Sequence, residues 1–198
     1  VMHQQLISLL DWIYKKKCYF CKSSKEAVKM CSKCYEQMEF LPVKINRVID
    51  GKKIYCAGVY SKNLQKLIRG LKYHNQRDLA EYFSKITDKD IFEVVPVPIF
   101  PKREKKRKYN HMNLVGEEFC RLTSNTFNTS LIKRVKDTKP QYKLKRDERV
   151  KNLSNAFEVD KTNYTGKTVL LIDDICTTGS TFEEMIRELK RNGIDDII

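Results

Sequence analysis

The sequence has 198 residues, of which 41% are hydrophobic, and its formal net charge is +14. This length suits one medium-sized domain with a small attached module, and the apolar fraction excludes an intrinsically disordered chain. The positive charge favours polyanionic partners such as nucleic acid, an anionic membrane surface or phosphorylated substrates, although a generally lysine-rich surface explains it equally well. No apolar stretch approaches the roughly 20 residues of a membrane span.

In chain order, the apolar pattern predicts an amphipathic helix over residues 3–16, a cysteine module over 18–34 and a connector over 36–52 with a turn at Asp50-Gly51. Strands then alternate with helices, which predicts an α/β fold with a parallel sheet. We expect residues 1–45 to form the N-terminal helix and cysteine module, and residues 46–198 to form the α/β domain. The later predicted elements are a strand at 54–60, a helix capped by Ser61, a helix from Asp78, a buried strand at 91–97, a basic loop at 98–110, a helix at 111–122, an irregular excursion at 136–156, a strand at 168–172, a helix at 181–192 and a final strand at 194–198, which the end of the sequence cuts short.

The seven cysteines are distributed in a way that favours one metal site in a reduced compartment over a secreted disulfide framework. No signal peptide is evident at the N-terminus, so we expect a cytoplasmic protein. Four thiolates in two close pairs predict a structural Zn²⁺, with iron or a redox-active pair as alternatives. The lysines around these pairs fit either a nucleic-acid contact or a solvated surface. The two Cys-x-x-Cys pairs are Cys18, Cys21, Cys31 and Cys34.

The zinc ion is expected to fold a segment that is too small to hold its own core. We therefore expect chelation, or the substitution Cys31→Ser, to unfold the N-terminal module and to spare the α/β domain.

The most informative segment runs from Val169 to Thr181 and joins a buried strand to a helix. Backbone N–H groups at a helix N-terminus form a concave site for an anion, Gly179 allows close approach, and hydroxyls add donors to phosphate oxygens. The carboxylates of Asp173 and Asp174 would repel a bare phosphate, but they suit a ligand that also offers hydroxyl groups, such as a ribose. A strand–turn–helix with solvated carboxylates explains any one of these residues, but not the whole run.

This run, an apolar strand followed by Asp-Asp-Ile-x-Thr-Thr-Gly-x-Thr, resembles the signature of type I phosphoribosyltransferases, which bind phosphoribosyl pyrophosphate with Mg²⁺. The resemblance implies a parallel-sheet phosphoribosyltransferase-like domain in which Asp173 and Asp174 are the catalytic carboxylates and bind the ribose hydroxyls. It also implies that the 5′-phosphate is held by Cys176, Thr177, Thr178, Gly179, Ser180 and Thr181.

A basic run, Lys102–Lys108, follows the strand at 91–97, at the same predicted edge of the sheet. Alone it fits a solvated loop, but beside a phosphoribosyl signature we expect Arg103 and Arg107 to bind the pyrophosphate group. Tyr109 stands just beyond the run, which itself contains no aromatic residue. We expect His111, at the start of a helix, to be a polar surface group.

Further motifs extend the resemblance over nearly the whole chain, to the ComF family of competence proteins. These motifs are the run from Leu67 to His74, Arg134-x3-Thr-x-Pro-Gln, Arg149-x2-Asn-x3-Ala-Phe and the two cysteine pairs. That family joins a zinc module to a phosphoribosyltransferase domain and is associated with natural transformation, the uptake of single-stranded DNA. It often has Arg-Gly-Phe-Asn-Gln where this chain has Arg107 to His111, so Lys108 occupies a glycine position.

The resemblance implies a competence protein that binds phosphoribosyl pyrophosphate and Mg²⁺, transfers phosphoribose to an unidentified acceptor and handles incoming single-stranded DNA. The alternative is a non-catalytic DNA-binding protein that uses the same fold as a phosphate-binding scaffold. Pyrophosphate release would favour the enzyme, and DNA binding that is unchanged by Asp173→Asn would favour separate sites. A third hypothesis, a scaffold for other DNA-uptake proteins, depends on the helix at 3–16 alone.

Overall fold

The structure is a computed structural model that describes residues 16–26, 28–38, 40–58, 60–74, 76–82, 92–138 and 152–198. The helix expected at 3–16 and residues 139–151 of the expected excursion lie outside the described residues. None of the described helices is both long enough and apolar enough to cross a bilayer. The helices and strands are α1 (Ser32–Glu36), β1 (Phe40–Ile49), β2 (Lys52–Gly58), α2 (Lys62–Tyr73), β3 (Glu93–Pro96), α3 (Pro101–Arg107), α4 (His111–Thr123), β4 (Thr126–Phe127), β5 (Ile132–Arg134), β6 (Phe157–Val159), β7 (Val169–Ile172) and α5 (Ser180–Arg191).

The central sheet has the strand order β4-β3-β7, and both pairings are parallel. On the outer side of β7, Val169 forms a parallel bridge with Ile197, where the final strand was expected. All four residues of β3 are buried, as expected for a central parallel strand covered on both faces. The prediction of an α/β fold with a parallel sheet is confirmed, and the carboxyl ends of β3 and β7 meet at one edge.

The segment expected to be a connector instead forms β1, which pairs with β2 in an antiparallel hairpin. The expected turn at Asp50-Gly51 is confirmed: these residues have φ angles of 49° and 76°, the left-handed pair that a tight two-residue hairpin requires. Ile49 and Ile54, which flank the turn, pack into the core beside Phe182 of α5. The hairpin therefore lies against the helix that follows the Asp-Asp motif.

A second hydrophobic cluster joins the cysteine segment to the helices of the α/β fold. Buried Cys18, Cys31 and Cys34 belong to the same cluster as residues of α2 and of the 3-10 helix Arg77–Tyr82, which occupies the start of the helix expected from Asp78. A Cβ on Gly70 of α2 would lie 3.1 Å from the Tyr19 ring. The apolar partners of the cysteines in α2 and the 3-10 helix are Leu64, Leu67, Leu71, Leu79 and Ala80.

Two helices frame the carboxyl end of β3. The stretch expected to be a basic loop contains α3, which begins at Pro101, the helical position where proline is best tolerated. The helix expected at 111–122 is confirmed as α4, and the side chain of Asn110 accepts a hydrogen bond from the Met112 N–H at its start. Asn110 also donates to the Val97 carbonyl oxygen at 3.2 Å, which draws the first turn of α4 against the sheet.

Candidate functional site

The loop from Asp173 to Gly179 leaves the carboxyl end of β7 and enters α5; we call residues Asp173–Thr181 the phosphate loop. Gly179 has φ 85° and ψ −1°, a left-handed conformation that glycine adopts without strain. A Cβ at this position would overlap Ile49 Cδ1 of the hairpin. The hydroxyls of Thr178 and Ser180 are 2.8 Å apart. The Ser180 N–H donates to Thr178 Oγ1 at 3.4 Å, so hydroxyls and N–H groups lie together at the start of α5, where an anion is favoured.

The two carboxylates of the loop have opposite electrostatic environments. Burial, followed by the charge of Asp174, raises the pKa of Asp173 well above its ordinary value. Burial also acts to raise the pKa of Asp174, but His111 and Lys72 outweigh it and hold that pKa below its usual range. Asp174 is therefore the ionised member of the pair, and Lys72 Nζ forms an ion pair with its Oδ2.

His111 is a buried neighbour of Asp174 and not the expected surface group. Only 4% of the residue is exposed, and its Nε2 lies 3.5 Å from Asp174 Oδ2. Burial lowers the pKa of His111, against the opposing effect of Asp174, so the ring is neutral at neutral pH. The Asn110 cap, which ties the first turn of α4 to β3, places the ring inside.

Arg134 is a further candidate site residue whose role could not be assigned from its motif alone. Its guanidinium lies over the Phe157 ring, 5.4 Å from the centroid, and donates to Thr138 Oγ1. Burial lowers the pKa of Arg134 to about 10, helped by the charge of Arg103, while Asp173 and Asp137 act in the opposite direction. Arg134 is thus a half-buried cation within electrostatic range of the phosphate loop.

The two arginines expected to bind pyrophosphate have different surroundings. Arg103 donates to the Thr138 carbonyl oxygen and lies 3.6 Å from Asp137, close to Arg134. Arg107 lies over the ring of Tyr73, 5.1 Å from its centroid, and donates to the Tyr73 hydroxyl at 3.4 Å. The assignment of Arg103 and Arg107 to pyrophosphate stays a prediction. Arg134, which lies close to Arg103, is a third candidate for the same role.

Lys108 ends α3 in the left-handed conformation, with φ 68° and ψ −2°. This is the backbone angle that a glycine would supply without strain, as the Arg-Gly-Phe-Asn-Gln resemblance implies. The chain adopts the angle even though lysine stands there. The neighbouring Tyr109 donates its hydroxyl to the Leu71 carbonyl oxygen, which fixes the turn to the last turn of α2.

The four predicted cysteine ligands converge on one point. Their sulfur atoms all lie within 4.8 Å of one another, and the sulfurs of Cys21 and Cys31 are 3.6 Å apart. A tetrahedral zinc ion with Zn–S bonds of about 2.3 Å requires sulfur separations of about 3.8 Å, so the arrangement fits. No disulfide bond is formed among the cysteines of the described residues. The cluster can hold a structural metal such as zinc.

The thiols of the cluster differ: burial raises the pKa of Cys34 to about 12, whereas backbone donors favour the thiolate of Cys18. Burial acts to raise the pKa of Cys18, but N–H groups of Cys21, Cys31 and Phe20 lower it to about 6. Metal ligation needs deprotonated thiols. The loop around Cys18 is therefore shaped to stabilise negative charge on sulfur.

Comparison with known proteins links the phosphate loop to a family. Residues 125–198 match the family model described as "Phosphoribosyl transferase domain". Competence protein F of Haemophilus influenzae is 28% identical, over 91% of this chain and 86% of its own length. The DNA utilization protein YhgH of Escherichia coli is 27% identical over 72% of this chain and 67% of its own length.

Competence protein ComFC of Bacillus subtilis is 32% identical over 59% of this chain and 45% of its own length. Three further observations agree with the names of these relatives. They are the match to the phosphoribosyltransferase model, the parallel sheet that carries the phosphate loop, and the converging cysteines. The chain is therefore similar to the ComF competence proteins, and it has a type I phosphoribosyltransferase-like domain and a four-cysteine module near its N-terminus.

Proposed function

We propose that this protein binds phosphoribosyl pyrophosphate together with Mg²⁺ and transfers its phosphoribosyl group to a nucleophilic acceptor. The observation that carries the proposal is the phosphate loop, where an ionised carboxylate stands beside the N-terminus of α5. The helix N-terminus and the hydroxyls suit the 5′-phosphate, and Asp174 suits a ribose hydroxyl. Bound Mg²⁺ would neutralise charge on the pyrophosphate leaving group.

In this reaction the bond from C1 of the ribose to pyrophosphate breaks, and a bond from C1 to the acceptor forms. The half-buried Arg134 and the nearby Arg103 lie on the side of β5 and α3, and their charges suit the departing pyrophosphate. Asp173 and Asp174 place the ribose. The work assigned to this chain is therefore placement and charge stabilisation.

The substitution Asp174→Asn is expected to weaken binding of Mg²⁺ and phosphoribosyl pyrophosphate at least about tenfold, because a charged hydrogen bond to a ribose hydroxyl is worth about 1.5–3 kcal/mol. Calorimetric titration measures the affinity. Glu158→Gln is the matched control, since it also removes one negative charge but from an exposed position on β6. Equal affinity in the Asp174 and Glu158 variants would contradict the assignment of Asp174.

The names of the relatives, which refer to competence and to DNA utilization, support a role in DNA uptake. We place that role in the cytoplasm because reduced thiols are needed for the cysteine cluster.

A second candidate function, binding of single-stranded DNA with or without catalysis, is favoured by one observation. Tyr73, on α2, is 59% exposed and carries Arg107 over its ring. The basic run thus acquires an aromatic neighbour from another part of the chain.

A second stacked pair adjoins the first. Arg77 lies over the ring of Tyr109, with its guanidinium carbon 4.6 Å from the ring centroid. Aromatic rings interleaved with arginines form the stacking platforms and charged grooves that bind single strands without sequence preference. We name the surface formed by Tyr73, Arg77, Arg107 and Tyr109 the aromatic-basic surface.

The substitution Tyr73→Ala is expected to weaken binding of a labelled oligothymidylate roughly tenfold, since one base stacked on an aromatic ring contributes about 1–3 kcal/mol. Fluorescence anisotropy at several salt concentrations measures this effect. Tyr55→Ala is the control, because Tyr55 is also exposed but lies on the hairpin. Parallel losses in both variants, or none in either, would exclude this surface. Asp173→Asn should leave DNA affinity unchanged if the surface and the phosphate loop are separate sites.

A further inference from the structure

The imidazole of His111 is buried, and its one contact with a carboxylate among the described residues, to Asp174, is too long to be a strong hydrogen bond. Both Nδ1 and Nε2 are buried and unpaired, and the residue is 96% buried, with 4% exposed. An unpaired buried polar group is costly, by about 1–3 kcal/mol, and is retained only where something else stabilises it. The ring therefore indicates a partner that arrives from outside the chain.

The position of the ring identifies where that partner binds. His111 and the two loop carboxylates, Asp173 and Asp174, line the same cavity of about 430 Å³. The Nε2 atom, 3.5 Å from Asp174 Oδ2, is too far for a strong hydrogen bond, so the ring approaches the carboxylate without satisfying it. A hydroxyl group can both donate to the carboxylate and bond the ring nitrogen.

Lys72 is the third residue at this point and comes from a different helix, α2. It stands in the last turn of α2, its side chain is 17% exposed, and it pairs with the same oxygen of Asp174. The charged groups around the His111 ring are Asp174 from the phosphate loop, Lys72 from α2 and Arg107 from α3. Lys72 keeps Asp174 ionised and holds it in place. The neutral His111 ring beside it can then form a hydrogen bond with a hydroxyl group of a ligand.

We propose that His111 is a sugar-contacting residue, whose imidazole bonds a ribose hydroxyl that also donates to Asp174, while Lys72 is a positioning residue that holds Asp174. The inference rests on the proposed binding of a phosphoribosyl compound, and it adds the residue that distinguishes a sugar phosphate from phosphate alone. Inorganic phosphate fills the loop at α5 without reaching the ring. Ribose 5-phosphate and phosphoribosyl pyrophosphate fill both.

The first test is NMR of protein labelled with both ¹⁵N-histidine and ¹⁵N-glycine. The signals followed are the ring nitrogens of His111 and the backbone amide of Gly179. The chain has three histidines, and His111→Gln assigns the signal. Ribose 5-phosphate and Mg²⁺ with phosphoribosyl pyrophosphate should shift both the Gly179 amide and the His111 ring nitrogens, whereas inorganic phosphate should shift the amide alone. The role of His111 would be overturned if all three ligands shifted the Gly179 amide signal and none shifted the His111 ring nitrogens.

The second test compares two substitutions by calorimetry. His111→Leu should raise the dissociation constant for Mg²⁺ and phosphoribosyl pyrophosphate about tenfold or more, because it leaves the hydroxyl without its partner. His111→Gln, which keeps a polar group of similar reach, should restore affinity to within about threefold. Affinity for inorganic phosphate should be the same in all three proteins. A purely structural role is indicated if phosphate affinity falls in parallel, and that result would refute the proposal.

The two hypotheses fail in different ways. If no sugar phosphate shifts the Gly179 amide of the unsubstituted protein, the proposed phosphoribosyl function is wrong, and the sugar contact is wrong with it. If the amide shifts and the Leu variant binds as tightly as the unsubstituted protein, the phosphoribosyl function stands and only the assignment of His111 fails.

Discussion

Removing one cysteine ligand, by Cys31→Ser, is expected to destabilise the whole described fold in a single transition and to weaken sugar-phosphate binding. Three of the four cysteines belong to the same buried cluster as Leu67 and Leu71 of α2, so a metal held by them would support the helix that carries Lys72. Loss of a structural metal site is among the largest single effects, about 4–5 kcal/mol or more. The melting temperature should fall by about 10–20 °C.

Calorimetry of unfolding checks this expectation, with zinc content measured in parallel. Cys56→Ser is the matched control: Cys56 is a half-buried cysteine on β2, outside the metal cluster. Two separate transitions in the Cys31 variant, with the later one unchanged from the unsubstituted protein, would restore the simpler expectation that zinc stabilises only the N-terminal segment. In that case affinity for phosphoribosyl pyrophosphate would also be unchanged.

The substitution Gly179→Ala is expected to reduce sugar-phosphate affinity by more than about tenfold and to destabilise the fold by about 2–5 kcal/mol. A left-handed alanine costs about 1–2 kcal/mol, and the added methyl overlaps Ile49 of the hairpin, which adds the cost of overpacking, about 1–3 kcal/mol. Ile49 is buried in the core, so the overlap is relieved by a shift of its side chain or by movement of the loop, and movement of the loop would misalign the N–H groups at the start of α5. Chemical denaturation and calorimetric titration measure the two effects.

The chain offers a matched control in Gly166→Ala. Gly166 has nearly the same left-handed φ, 82° against 85°, but a Cβ there meets nothing within 4 Å. This variant should lose only about 1–2 kcal/mol and bind normally. Combining Gly179→Ala with Ile49→Ala should be less destabilising than the sum of the two substitutions by at least about 1 kcal/mol. Strict additivity would show that the hairpin does not press on the loop.

The local sequence was sufficient for the parts of the site that are built from consecutive residues. The strand at Val169, the turn through Gly179 and the helix from Ser180 follow one another, so apolar pattern and glycine placement predict them together. The cysteine pairs are likewise recognisable by spacing. By contrast, the ion pair between Lys72 and Asp174 joins residues that are about a hundred positions apart. The periodicity of apolar residues along the sequence does not predict such a contact.

The sequence-based predictions for β1, α3 and His111 were wrong for physical reasons. Residues 36–52 were expected to be a connector, although the Asp-Gly pair at 50–51 followed by alternating residues is a strong hairpin signal. The charges of the basic run hid α3, although proline at its first position signals a helix start. His111 was expected at the surface because a helix start is usually solvated. Its burial depends on the Asn110 contact with β3, which is a tertiary effect.

The docking of the hairpin onto α5 has a consequence for synthesis on the ribosome. Ile49 and Ile54 are made early, yet their partners Phe182 and Ile186 are made about 130 residues later. At about 5–20 residues per second this interval is on the order of ten seconds. During that time the nascent hairpin exposes its apolar side, while the cysteine segment, α2 and α4 can already assemble around a metal. A holdase that recognises short apolar strands should therefore bind ribosome-attached chains that end before residue 182 and release those that extend beyond α5.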